Sequence, residues 1–212
     1  SYFYPKLSFY IMTHHIKDIL DIGPNCYERF IDSEVLAEIK PLEITLAGCS
    51  NLSGRYSVGR TAPLEHTLFY TIKGQGKLTT IDKEIPLLTN TLAILPTKQS
   101  FEVSIDADQW DIIWLNLANT KRWQHLTTEP ARVINNQKLE PLHFAMEILY
   151  SEPDATMRQG VFPLISHYLN AALLGNNQNK TNTRLHNLFQ DIEKRLQFDW
   201  TIEAMCDQVH YS

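Results

Sequence analysis

The residues that could do metal or nucleophile chemistry are few and scattered. His14, His15 and Asp18 are close enough in sequence to suggest a cation site, but adjacent residues of a helix point to different sides, so they read as a solvated face. Cys26, Cys49 and Cys206 form no C-x-x-C pair. Their odd number fits a reducing cytoplasm better than a disulfide framework. Polar residues in alternating patterns offer more. Thr67, Phe69 and Thr71 fall on one face of a strand, and Ser100, Glu102 and Ser104 on one face of another. Hydroxyls, a carboxylate and an aromatic ring converging on one space would suit a polar small molecule. His143 and His167 read as ordinary hydrogen-bonding residues, and His125 is placed where it could reach such a space.

The elements that must position these groups change character along the chain. Residues 14–21 read as a short helix ended by Gly23-Pro24. From 41 to 117 short apolar runs alternate with turn signals. Leu42–Ala47 is followed by Thr67–Lys73, and Gly74-Gln75-Gly76 is expected to turn the chain into Lys77–Ile81. Asp82-Lys83 turns again into Glu84–Leu88, and Asn90-Thr91 leads into Leu92–Leu95 before Pro96. Phe101–Ile105 and Trp110–Leu117 complete a set suited to a sandwich or small barrel. Trp110 and Trp114 are expected mainly as core. After Pro130 the period becomes helical, with Leu139, Leu142, Met146 and Leu149 on one stripe. Val161, Ile165, Tyr168 and Ala172 form another, widened by Leu164, Leu169 and Leu173.

The run from Arg60 to Leu117 resembles the sensor domain of AraC (arabinose regulator) family transcription factors, a cupin-type barrel. The resemblance rests on Phe69-Tyr70-Thr71-Ile72-Lys73-Gly74-Gln75-Gly76, on Leu92-Ala93-Ile94-Leu95-Pro96 and on Trp110-Asp111-Ile112-Ile113-Trp114-Leu115-Asn116-Leu117. Asn90-Thr91 stands where the family usually has Gly-Asp; Asn tolerates the left-handed conformation such a turn needs. The last twelve residues resemble the first half of the family's helix-turn-helix. Thr201 caps a short amphipathic helix carrying Ile202, Met205 and Val209, and Ser212 is placed to cap a recognition helix that does not follow. Cys206 takes a place where the family prefers Ala, as a small buried hydrophobe.

The resemblance implies an α+β chain. A cupin-like β-barrel (double-stranded β-helix) over 41–130 follows an N-terminal arm with a short helix over 1–40. An antiparallel helix pair over 131–175, for dimerisation, comes next, then a linker over 176–184 and the start of an all-α helix-turn-helix domain over 185–212. Met12 is a candidate natural start, with residues 1–11 as an extension. Metal-dependent cupin enzymes bind their ion at four places that here fall on Arg60, Ala62, Thr67 and near Ser100. None makes a ligand set, because Arg stays protonated and Ala has no donor. His66 is one residue off, hence on the opposite face.

The expectation is therefore neither an enzyme nor a metal or cofactor protein, but an effector site of Arg60, Thr67, Phe69, Ser100, Glu102 and Trp123. Trp123 lies where arabinose regulators contribute pocket aromatics. A sugar fits best on family grounds, an amino acid or carboxylate equally well on physical ones. Arg60 and Glu102 paired with each other is the alternative. Val161, Ile165, Tyr168, Leu169 and Ala172 are the expected dimer contacts, with packing inside the single chain as the alternative. Operator DNA, and RNA polymerase where the regulator activates, complete the implied partners. No membrane segment is visible. A net charge of −5 and a pI of about 5.9 argue against a DNA-binding surface as the main content of these residues. A metal-dependent cupin enzyme and a stand-alone sugar-binding cupin remain the rival readings.

Overall fold

The computed structural model describes residues 13–34 and 36–174. The 176–184 connector and the helix-turn-helix residues, with Thr201 and Ser212, lie outside the described residues. The chain divides into two compact units, Ser1–Tyr168 and Leu169–Ser212, and the architecture that follows belongs to the first.

Among the described residues nine strands form one sheet: β1 (Ile19–Ile22), β2 (Tyr27–Asp32), β3 (Ile44–Ser53), β4 (Tyr56–Arg60), β5 (His66–Thr79), β6 (Glu84–Leu88), β7 (Thr91–Leu95), β8 (Phe101–Leu117) and β9 (Arg132–Asn135). The pairs are antiparallel and the main path runs β1-β4-β8-β5-β7-β9, with β2 reaching β8 through β3 and β6 hanging on β5. Two long strands carry the rest. Residues 101–104 of β8 pair with β4, whereas 109–117 pair with β3. β5 follows β8 along both stretches, with register shifts at Thr71/Lys73 and Gly74/Gly76. Between its two stretches β8 crosses an exposed arc, residues 106–109. The two strands expected at 101–105 and 110–117 are thus one, because the arc stays extended while each end finds a different partner.

The Gly-x-Gly segment is likewise a bend within β5 rather than a turn. Gly74 has φ +78, and a Cβ there would stand 1.9 Å from the Gln109 carbonyl oxygen. A Cβ on Gly76 would meet the Trp110 indole at 2.4 Å. The missing side chains let β5 fold across Trp110, which is wholly buried among Leu78, Leu87, Phe101, Val103 and Ile112. The expected left-handed turn at Asn90 is present, with φ 65, and its side chain accepts a hydrogen bond from the Tyr70 hydroxyl at 3.0 Å.

Other elements depart from the sequence reading. The short helix at 14–21 is absent: residues 13–18 form no regular element, and Ile19–Ile22 pairs with Tyr56–Gly59 as β1. β2 also belongs to the stretch assigned to an arm, so the sheet begins well before residue 41. It also continues past 130, because Arg132–Asn135 pairs with β7. Helices follow: α1 (Glu140–Ser151), α2 (Ala155–Gln159), capped by Asp154, and a helical stretch over 162–168; residues 169–174, of the second unit, are helical too. α1 buries Leu142, Ala145, Met146 and Leu149, the stripe read from the sequence. No described helix is long and apolar enough to cross a membrane. The fold is a cupin-like antiparallel β-barrel, left open along its edge strands and followed by helices.

Candidate functional site

A cavity of about 600 Å³ opens between the inner faces of β1 to β5 and β8. Strand alternation decides what reaches it. On β2, Glu28 and Phe30 line it while Arg29 between them points away; on β8, Trp114 and Asn116 line it, two residues apart. β4 sends in Tyr56, Val58 and Arg60, and β5 sends in Thr67 and Phe69. Leu20 and Ile22 of β1, with Pro63, Leu64 and Glu65 of the β4–β5 loop, complete the rim.

The polar groups form two clusters. In the first, the Trp114 indole N–H donates to Ser50 Oγ at 3.0 Å, Ser50 donates to Glu28 Oε1 at 3.0 Å, and the Tyr56 hydroxyl reaches the same oxygen at 3.5 Å. Burial, and then the Glu28 carboxylate, push the Tyr56 phenol upward, against a smaller opposing effect of Arg60. Tyr56 therefore stays a neutral hydroxyl that senses both charges. In the second cluster Thr67 donates to Asn116 Oδ1 at 3.2 Å. Phe30 meets Trp114 edge-on with centroids 5.8 Å apart, and Phe69 packs between Phe101 and Trp110. The Arg60 Nη1 donates to the backbone carbonyls of Ile19 and Gly59 at 3.0 and 2.8 Å, which fixes the guanidinium at the wall.

Of the six residues expected at an effector site, Arg60, Thr67 and Phe69 come together at this cavity, and Ser100, Glu102 and Trp123 do not. The cause on β8 is register. Phe101 and Val103 turn inward, so Glu102 turns to the other face, where it accepts the Ser57 hydroxyl at 2.7 Å. It forms no ion pair with Arg60. Ser100 borders a separate surface hollow beside Lys98 and Pro130. Trp123 is buried elsewhere, its indole N–H donating to the Leu42 carbonyl at 2.9 Å. Trp110 is core, whereas Trp114 contributes to the cavity wall.

Glu28, Phe30, Tyr56, Trp114 and Asn116 were not anticipated as site residues. A signal existed for two of them, since Trp114 and Asn116 share a face at strand spacing. Glu28 was hidden because the stretch around it was read as an arm.

The four positions compared above with metal-dependent cupin enzymes hold no ion-binding set among the described residues. Thr67 is engaged by Asn116, and Ala62 stands in a loop at φ 49. His66 is fully buried, and its Nδ1 accepts the Thr97 backbone N–H at 3.2 Å. No group of three or more His, Cys, Asp or Glu among the described residues is arranged to hold a metal. The Cys49 thiol is pushed up to about 12 by burial and by the Glu147 carboxylate, which leaves it a protonated, unreactive group.

The expected dimer residues occupy mixed positions. In the first unit Val161 and Ile165 are buried and Tyr168 is half-buried; in the second, Leu169 and Ala172 are buried. The large apolar side chains that the described helices leave exposed include Phe144, Ile148, Tyr150, Met157 and Leu164.

No family model matches the chain, and no curated protein sequence does. Solved structures are similar at low identity. A cupin superfamily protein from Desulfitobacterium hafniense is 13% identical, with a TM-score of 0.38 over 47% of this chain and 84% of its own. The AraC-like transcriptional activator CuxR is 10% identical, with a TM-score of 0.48 over 80% of this chain and 67% of its own. An oxalate decarboxylase variant from Bacillus subtilis is 14% identical, with a TM-score of 0.39 over 50% of this chain and 27% of its own. These likenesses span regulators and enzymes alike and decide neither family nor activity.

Proposed function

We propose that this chain is the effector-binding part of a bacterial AraC-type transcriptional regulator, and that its cavity takes a small polar molecule. The observation that carries the reading is the cavity itself. It is large enough for a metabolite, walled by aromatic rings, and furnished with a carboxylate and a guanidinium rather than metal ligands. The sequence motifs that resemble the family's barrel, and the helix-turn-helix resemblance near the C-terminus, support the regulatory context. Operator DNA would be bound by the helix-turn-helix domain, and paired chains would meet through helices, where Phe144, Ile148 and Leu164 offer exposed apolar surface. Effector binding would then be coupled to DNA binding through the spacing of the paired DNA domains.

A thermal-shift screen against sugars, amino acids, amines and organic acids tests this. A ligand that binds the folded chain raises its Tm in a concentration-dependent way, by about 2.7 kcal/mol of stabilisation at a hundred times Kd. Replacing Thr67 with Trp fills the cavity and should abolish the shift. Metal analysis of the purified protein is the counter-test: stoichiometric iron, manganese or zinc with no effector would overturn the regulator reading in favour of a cupin enzyme.

A further inference from the structure

The charges that line the cavity are unbalanced. Glu28 and Glu65 supply two carboxylates against the single guanidinium of Arg60, whose Nη1 is already committed to backbone carbonyls. Glu28 is the inner of the two, and both bonds it accepts fall on Oε1. Its Oε2 accepts none among the described residues, and no described cation lies within ion-pair distance of it. Retaining a half-buried carboxylate against apolar walls without a counter-charge is costly, and a ligand that brings one recovers that cost. Beside Glu28 stand Phe30, Tyr56 and Trp114, whose ring faces attract cations.

The uncharged polar groups weigh the other way. The Thr67 hydroxyl is spent on Asn116 Oδ1 and the Trp114 N–H on Ser50, which leaves the Asn116 amide N–H groups as the neutral side-chain donors still open there. A sugar would bring several hydroxyls into a mostly apolar wall with few open neutral partners, and each one left unpaired loses its hydration without a replacement. An ammonium needs only one carboxylate and a ring face.

On the reading that this cavity is the effector site, we infer that its ligand is a small organic amine, seated with its ammonium on Glu28 against the Phe30, Tyr56 and Trp114 rings. Arg60 leaves room for an anionic group at the ligand's other end.

Calorimetry with n-hexylamine, hexan-1-ol and glucose as probes tests the inference on the intact chain. The amine and the alcohol share their apolar body and differ in the charge that Glu28 would read. The amine is expected to bind at least about tenfold tighter than the alcohol, a difference of about 1.4 kcal/mol. In Glu28→Gln, which keeps an acceptor for Ser50 and Tyr56, the preference for the amine over the alcohol should vanish. Equal wild-type affinities for amine and alcohol would overturn the inference, and that comparison does not depend on how the variant folds. So would an undiminished preference in a folded Glu28→Gln, or capture of glucose but not the amine. In that last case the effector-site reading stands and only the ligand class falls. A metabolite panel that yields no cavity ligand at all, while hexylamine binds, fails the effector reading and leaves the amine site.

Discussion

At the scale of single residues, His66 shows how a one-position displacement changes chemistry. A place one residue further on faces the cavity; His66 itself faces the packed interior and is fully buried. Its Nδ1 accepts the Thr97 N–H, so the neutral ring carries its proton on Nε2, which finds no acceptor among the described residues. Burial first, and the nearby His125 second, hold its pKa below the ordinary 6.5. The sign of the linkage follows. The folded chain holds this proton more weakly than the unfolded chain, so the unfolded state binds more protons between the two values. Stability from this site is therefore full above about pH 6.5 and is lost as pH falls below it. Denaturant melts from pH 7.5 to 5 should show the wild type losing more stability than His66→Asn, whose amide oxygen can replace Nδ1 as the acceptor for Thr97. Parallel curves for the two proteins would mean that His66 titrates normally. Glu147, held low by Arg29, does not confuse this window, because its contribution is lost only at more acidic pH.

At the scale of elements, α1 is clamped to the sheet by one polar contact. Arg29 of β2 donates through both terminal nitrogens to the Glu147 carboxylate of α1 and lies 5.6 Å from the centre of the Tyr150 ring. His143 adds a contact to Glu147 at 3.3 Å, one helical turn away. Burial works against ionising Glu147, but the bonds and charge of Arg29, helped by His143, hold it below the usual carboxylate range. Both side chains are largely but not wholly covered, so losing either partner should cost about 2–4 kcal/mol, somewhat under the figure for a fully buried pair. In a double-mutant cycle, Arg29→Ala and Glu147→Ala should couple by about 1–3 kcal/mol in urea unfolding. Additivity within about 0.5 kcal/mol would show that α1 is held by its apolar stripe alone. That stripe was legible in the sequence, because Leu142, Met146 and Leu149 repeat at helical spacing. So were the cores of β5 and β7, and the turn at Asn90. The clamp was not, since it joins residues 118 positions apart and no local pattern links them. The bend at Gly74-Gln75-Gly76 was read as a turn because the bulk of Trp110 beneath it is a tertiary fact. Residues 14–21 were read as a helix because a run that short carries too little period to reveal the pairing of Ile19–Ile22 with β4. Thr67 and Phe69 could be put on one face because alternation along β5 is regular, whereas Arg60 was placed beside them only by the register that the family resemblance implied. Glu102 was misplaced because alternation says which residues share a face, and the packing of Phe101 and Val103 says which face is inner.

At the scale of the whole molecule, β2 joins these two levels. Its inner face presents Glu28 and Phe30 to the cavity, and its outer face presents Arg29 to α1. One short strand, bonded among the described residues by β3 alone, thus carries both the ligand-reading carboxylate and the helix clamp. A ligand that draws Glu28 or Phe30 inward acts on a strand whose backbone is restrained mainly by that pairing and by Arg29. Loosening the clamp should therefore change how readily β2 adopts the bound position. Linkage requires the effect to run both ways: if the clamp state alters ligand affinity, the ligand alters the clamp by the same factor. We expect Glu147→Ala to shift affinity for a cavity ligand by about five-fold or more, within the range of ordinary coupling energies, although Glu147 does not line the cavity. Hydrogen exchange should show the converse, with ligand binding altering protection across α1. The control is Glu152→Ala, at the end of α1 and outside the clamp, which should leave affinity unchanged. Unaltered affinity in Glu147→Ala, together with unaltered exchange in α1 on ligand binding, would show that β2 holds its two faces independently and that any signal leaves the barrel by another route.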